Sequence, residues 1–389
     1  MPPDTAHRPS PANLSERERI DRLRLIRTEN VGPITFRQLL ERYGSAERAI
    51  AALPDLARRG GRRTPLRVPS VASAGREVED NARVGATLIV YGDAAYPPAL
   101  AAVEDAPGAF SLIGHPHVLA QRAVAVVGAR NASMNGRKLA SVLSREIGRG
   151  GYTVVSGLAR GIDAAAHEGS LESGTVAVVA GGIDVIYPPE HTDLFHRIAE
   201  AGAIVAEQPV GTTPQARHFP SRNRIIAGLS LGVLVVEAAN RSGSLITARR
   251  ALDQGREVFA VPGSPLDPRC GGTNGLIKEG AAFLVESADD VLRVLDGMPQ
   301  RKLGEPQGRD WEGSYGGEAL DPPALELDDR VRATVLDALS SEPVAVDELI
   351  RGCQLSAPIV ATVLLEAELA GLIDRHPGNQ VSRRMDVPA

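Results

Sequence analysis

The 389-residue chain has a formal net charge of −5, 43% apolar residues and 3% aromatic residues. That balance excludes a molecule-wide basic field, so any site for a polyanion has to be local. Two cysteines, Cys270 and Cys353, exclude a disulfide framework and a zinc spacing, and no eighteen apolar residues run together.

Residues 1–13 are polar and Pro-rich, the composition of a disordered tail. No apolar segment follows the first Met, so the expectation is a soluble, cytoplasmic protein with no membrane partner. A helical domain is expected over 14–83. Ser15 followed three residues later by Glu18 marks a capped helix start. The run TENVGPITFRQLLERYGSAERAIAAL predicts two short helices around Val31-Gly32-Pro33, burying Phe36, Leu39 and Leu40. It looks like a helix-hairpin-helix, a unit that can grip DNA backbone through hairpin amides, although a small packing module is the commoner meaning of a lone motif. Residues 58–70 (RRGGRRTPLRVPS) form a basic connection, read as a solvated loop or an auxiliary phosphate contact.

Over 84–298 the pattern changes. Val-rich runs at 123–127, 153–155, 176–180, 204–206, 233–236, 258–261 and 283–285 are continuously apolar, as in strands buried on both faces of a parallel sheet. Helical patterns separate them, for example 137–147, 162–171 and 245–254. Repeated β-α-β units predict an α/β fold: an extended, doubly wound, mostly parallel Rossmann-like sheet, with ligands at the strands' carboxyl ends. Residues 299–325 read as a linker. Residues 326–385 predict three helices and a hairpin turned at Pro377-Gly378-Asn379, a winged helix. Its third helix, APIVATVLLEAELAG, has two Glu and no Lys or Arg. That suits packing or a protein contact better than a major groove.

The strand ends carry the candidate site. VVGARNASMNG lacks the dinucleotide fingerprint, and no P-loop is present. It leaves a Gly128 turn with Arg130 and Ser133 at a helix start, where amides and the dipole favour an anion. In SGLARGIDAAAHEGSL, Gly157 permits close backbone approach. Ser156, Asp163 and His167 suggest a catalytic triad, rejected because no nucleophile elbow is present; Asp163 and His167, four apart, suit a structural hydrogen bond. AGGIDVIYPPEH closes the next strand as a turn or a ligand loop. VVEAANRSGSLITARRALDQG puts Glu237 at a strand end, with Ser242 and Ser244 opening a helix. From Thr213 to Arg224 stand Arg217, Arg222 and Arg224 with His218 and no acid, around Phe219. Cations at a helix N-terminus oppose its dipole unless an anion joins them. Arginines flanking an aromatic suit single-stranded nucleic acid, with phosphates paired and a base stacked.

These motifs, together with FPSRNRIIAGLS and GTNGLIKEGA, closely resemble the bacterial DNA-processing protein A family (DprA/Smf) over about residues 90–295. The resemblance implies sequence-tolerant binding of single-stranded DNA, protection of that strand, and RecA loading during natural transformation, with no chemical reaction. It implies a homodimer through the segment holding Ile277 and Phe283. Carried over, Arg130 contacts phosphate, Phe219 stacks on a base, and Arg222, Asn223 and Arg224 line the pocket. Ala216 stands where many relatives have Lys, with Arg217 beside it, and Asn135 where many have an aromatic. No catalytic residue, metal ligand or cofactor is expected. The alternative is an enzyme similar to the Rossmann-like hydrolases of nucleoside monophosphates, using Glu237 and the Ser242-Gly243-Ser244 turn; their Pro-Gly-Gly-x-Gly-Thr pattern is missing. A third reading, a transcription regulator acting through the winged helix, is opposed by the absence of Lys and Arg from the third helix.

Overall fold

The computed structural model describes residues 14–298, 328–376 and 378–384. The expected tail 1–13, the linker 299–325 and Pro377 lie outside them. Helices α1 (Glu16–Ile26), α2 (Pro33–Tyr43), α3 (Ala46–Arg59) and α4 (Val71–Arg83) open the chain. Ser15 caps α1, its Oγ accepting the Glu18 amide at 3.1 Å. Glu18 does not complete the capping box. Its carboxylate takes Arg22 at 2.8 Å and the Ala46 amide at 3.2 Å, tying α1 to the start of α3. Phe36 and Leu39 are fully buried against Leu53 and Leu56.

The sheet comprises β1 (Thr87–Val90), β2 (Ala109–Gly114), β3 (Ala123–Val127), β4 (Thr153–Ser156), β5 (Thr175–Gly182), β6 (Ala203–Gln208), β7 (Gly232–Val235), β8 (Glu257–Ala260) and β9 (Phe283–Leu284). Among the described residues its order is β1-β2-β6-β5-β4-β3-β7-β8-β9. All pairs from β6 to β9 are parallel, whereas β1 and β2 add an antiparallel edge. The doubly wound α/β class is as predicted. The antiparallel edge is the part the sequence did not announce. Thr87–Val90 spans four residues, and β2 interrupts its apolar run with the buried Ser111.

The connections are α5 (Pro98–Ala101), α6 (Met134–Arg149), α7 (Ile162–Ser170), α8 (Thr192–Ala201), α9 (His218–Gly228), α10 (Ser244–Asp253), α11 (Gly271–Lys278) and α12 (Ala288–Gly297). Ile225 and Ile226 of α9, Leu229 just after it and Ala248 of α10 fill the core on one face of the sheet. Leu143 and Ile147 of α6, with Val291 and Leu295 of α12, fill the other. Each large aliphatic side chain so buried contributes about 1.5–3 kcal/mol. From β3 the chain winds through β4 and β5 to β6. Helix α9 then carries it back to β7, on the other side of β3. The gap between β3 and β7 is therefore the switch point of the sheet, the usual ligand crevice of such folds.

The C-terminal domain holds α13 (Asp329–Asp337), β10 (Val344–Ala345), α14 (Val346–Cys353), α15 (Ala357–Ala370), β11 (Ile373–His376) and β12 (Gln380–Arg383). Strands β11 and β12 form the wing, and β10 pairs with β12. This is a winged helix. Its third helix, α15, is buried along most of its length, and Leu365 and Leu369 join the core of the N-terminal helices. Its lack of basic residues matches that packing role. Among the described residues, no single helix is long and apolar enough to cross a membrane.

Candidate functional site

A cleft of about 510 Å³ opens over the carboxyl ends of β4 and β5. Arg130, Gly157, Arg160, Gly181, Tyr187, Phe219 and Arg222 contribute to its wall. The loops after β3, β4 and β5 and the start of α9 thus converge on one place.

The α9 wall is built from its sequence. The helix starts without a side-chain cap and without an acid in its first turn, while Ile225 and Ile226 anchor it to the sheet. Phe219, on the first turn, is half-buried. The Arg130 guanidinium lies 4.9 Å from its ring centroid, and the Tyr187 ring stands edge-on at 6.1 Å. Tyr187 is 50% exposed, so an aromatic pair faces the opening. Exposed Arg160 is ion-paired with Glu190. Exposed Arg130 and Arg217 form no ion pair among the described residues, which leaves their charge for a ligand.

Arg222 differs from them. It is buried at the cleft floor, and its Nε has no hydrogen-bond partner. Burial pulls the guanidinium down to about 10, against the opposing charge of Asp163. Burial likewise raises the Asp163 carboxyl, and Arg222 is the main influence pulling it back. Gly157 makes the room: a Cβ there would fall 1.4 Å from Arg222 Nη1. A buried cation with a spare donor, walled by aromatic faces, is the chemistry of an anion joined to a flat ring system.

Several expected residues lie elsewhere. Arg224 does not reach the cleft. Its guanidinium is held by the Glu207 carboxylate and the Asp105 carbonyl on the opposite side of α9, so it is a structural residue. A little over half a turn of helix separates its direction from that of Arg222. Asn223 is buried beside them and is not part of the cleft wall. Ser133 caps α6, accepting the Gly136 amide at 2.8 Å, and its hydroxyl donates to Glu237. Its amide also bonds Glu237, at 2.9 Å. The anion place at the α6 N-terminus is therefore taken by the chain's own carboxylate, and the expectation of a ligand at Ser133 is corrected. A Cβ on Gly136 would come within 2.4 Å of that carboxylate. Ser242 and Ser244 bond each other at 2.7 Å beyond β7 and are not brought into the cleft.

The rejected triad has no geometry. Ser156 Oγ donates to the Val126 carbonyl at 2.6 Å. His167 Nδ1 meets Thr175 Oγ1 at 2.8 Å rather than Asp163, so the predicted Asp163–His167 bond is absent. Burial lowers His167 to about 3, helped by His191 and Arg222, which keeps it neutral. Ile277 packs partly buried against the core, whereas Phe283 and Leu284 on edge strand β9 are each 48% exposed. Sequence reasoning did not single out Arg160 and Tyr187. The available signal was an Arg following a strand-end Gly, and an aromatic in an aromatic-poor chain.

Comparison with known proteins agrees with this architecture domain by domain. The model of DNA recombination-mediator protein A matches residues 87–296. A DprA-like N-terminal HHH domain matches 16–79, and a DprA winged helix domain matches 319–379. Protein Smf of Escherichia coli (strain K12) is 40% identical over 298 residues, covering 74% of this chain and 75% of the relative. DNA processing protein DprA of Bacillus subtilis (strain 168) is 42% identical over 240 residues, covering 61% and 77%. Among solved structures, DNA processing protein A from Streptococcus pneumoniae aligns with TM-score 0.60 at 36% identity, over 72% of this chain and 98% of that one. The Helicobacter pylori protein, described for its unique single-stranded DNA binding mode, aligns with TM-score 0.50 at 27% identity, over 54% and 95%. With the helical domain, the nine-stranded sheet and the winged helix each matched in order, the chain belongs to the DNA recombination-mediator protein A family.

Proposed function

We propose that this chain binds single-stranded DNA, without sequence preference, in the cleft over β4 and β5. The observation that carries the reading is the joining of Phe219 and Tyr187 to Arg130 and Arg222, a base platform beside cations. Stacking is sequence-tolerant because every base has a π-face. The binding mode described for the Helicobacter pylori relative supports the same ligand. In this reading the protein is a binder, not an enzyme, and works in the cytoplasm without a cofactor. It protects the strand and loads RecA on it during natural transformation and recombination. The family likeness supports that role. Pairing of two copies through the segment of Ile277 and Phe283 is supported by the exposed Phe283 and Leu284 on β9.

The test is fluorescence anisotropy of the full chain with a labelled single strand and its duplex. Arg130→Ala, Arg217→Ala and Phe219→Ala together are expected to weaken single-strand binding at least roughly tenfold and to flatten its salt dependence. Unchanged affinity would overturn the assignment. Release of a free base from a nucleoside monophosphate would instead favour the hydrolase reading, which has Glu237 as its acid.

A further inference from the structure

The cleft makes no use of the most basic stretch of the chain. Arg58, Arg59, Arg62, Arg63 and Arg67 fall within ten residues that contain no acid. Arg58, Arg63 and Arg67 are exposed, and Arg63 has no partner among the described residues. Glu29 ties this stretch to the hairpin between α1 and α2. Its carboxylate takes Arg62 at 2.8 Å, and its amide donates to the Arg67 carbonyl at 3.4 Å. On the other side of that hairpin α2 begins, with no side-chain cap and no acid in its first turn.

The winged helix covers the junction. Besides Leu365 and Leu369, α15 delivers two buried carboxylates. Glu366 pairs with Arg332 at 3.0 Å and approaches Arg59 to 4.0 Å. Glu368 accepts from the Thr35 hydroxyl in the first turn of α2 and pairs with Arg375 at 2.6 Å. Its Oε1 stands 3.5 Å from the place of a Cβ on Gly32. Asn30 Nδ2 donates to the Leu369 carbonyl at 3.3 Å. The backbones nearly touch at Gly60, where a Cβ would lie 2.0 Å from the Glu366 carbonyl oxygen. Besides an arginine of its own domain, each acid thus meets the other domain, Glu366 at the single cation Arg59 and Glu368 at the start of α2, more than 300 residues away in sequence.

We propose that the N-terminal domain carries a second DNA-backbone surface, formed by the arginines of 58–67 and the α1–α2 hairpin, and that the docked winged helix covers its Arg59 and hairpin part, leaving Arg58, Arg63 and Arg67 exposed at the rim. Glu366 and Glu368 stand where phosphates sit when the cover is off. Paired buried charges direct where a domain docks more than they fasten it. An incoming strand presents a whole run of phosphates and releases its counterions on binding, so it competes with two carboxylates. The surface is separate from the cleft and does not depend on it.

The test uses the full chain with Arg130→Ala and Phe219→Ala, which disables the cleft so that the two assignments fail separately. Gly60→Leu and, as a second route, Leu369→Asp are introduced to lift the cover, with small-angle scattering reporting the opening. Labelled single strand and duplex are then titrated. Opened chains are expected to gain roughly tenfold in affinity for DNA with a steeper salt dependence. Arg63→Glu with Arg67→Glu, or Thr35→Glu, is expected to abolish that gain. A chain that opens with no gain overturns the proposal. So does a gain that survives those substitutions, or a seam that neither Gly60→Leu nor Leu369→Asp opens.

Discussion

At the scale of single residues, Phe219 and Gly157 carry the sharpest expectations. Replacing Phe219 with Ala removes a stacking face and is expected to cost about 1–3 kcal/mol of single-strand binding, read by anisotropy. Gly157→Ala adds only a methyl, yet that methyl overlaps the Arg222 guanidinium. It is expected to weaken DNA binding at least as much while the far-ultraviolet circular dichroism stays native. His167 makes a prediction about pH. Its folded-state value, about 3, is below the ordinary 6.5. Between those values the unfolded chain holds the extra proton, so stability rises with pH across that window and is lost on acidification through it. The loss approaches about 1.4 kcal/mol per pH unit for one proton. Urea midpoints measured from about pH 7 to about pH 5 are expected to fall, and His167→Gln to flatten the slope.

At the scale of elements, α6 and α9 show what periodicity reveals and what it leaves open. Both were legible as helices after buried strands, and the strand-end loops were legible as candidates because Gly and Arg cluster there. Which way each Arg turns was not. Arg222 and Arg224 are two apart, so on a helix they diverge by about 200°. The partner that decides the matter, Glu207, belongs to another element. The same limit hid Glu237, which reaches Ser133 from the far side of the switch point. Ser133→Ala should therefore act as a lost cap, lowering stability by about 1 kcal/mol and leaving DNA affinity unchanged. Thermal melts and anisotropy on one preparation separate the two effects. The antiparallel edge of β1 and β2 went unseen because β1 spans only four residues and the polar Ser111 breaks the apolar run of β2.

At the scale of the whole molecule, the exposed edge at β9 calls for a partner. Phe283 and Leu284 end the sheet in unpaired backbone with apolar side chains, and such edges are open to strand pairing unless covered. Phe283→Arg is expected to convert a dimer into a monomer in sedimentation velocity. An unchanged mass would mean that the pairing surface is elsewhere. The opposite end of the chain behaves differently, because the winged helix is folded into the N-terminal core. Its acidic third helix pointed in sequence to a packing role, but not to which neighbour it would meet.

The self-bonded switch point between β3 and β7 has a metabolic consequence. In doubly wound proteins that place is commonly the berth of a cofactor or nucleotide. Here Glu237 is moored to the α6 N-terminus, so an adenylate arriving there meets a carboxylate instead of free amides. The affinity of this protein for its ligand is therefore expected to be the same with and without an adenylate nucleotide, which anisotropy titrations in its presence and absence would check.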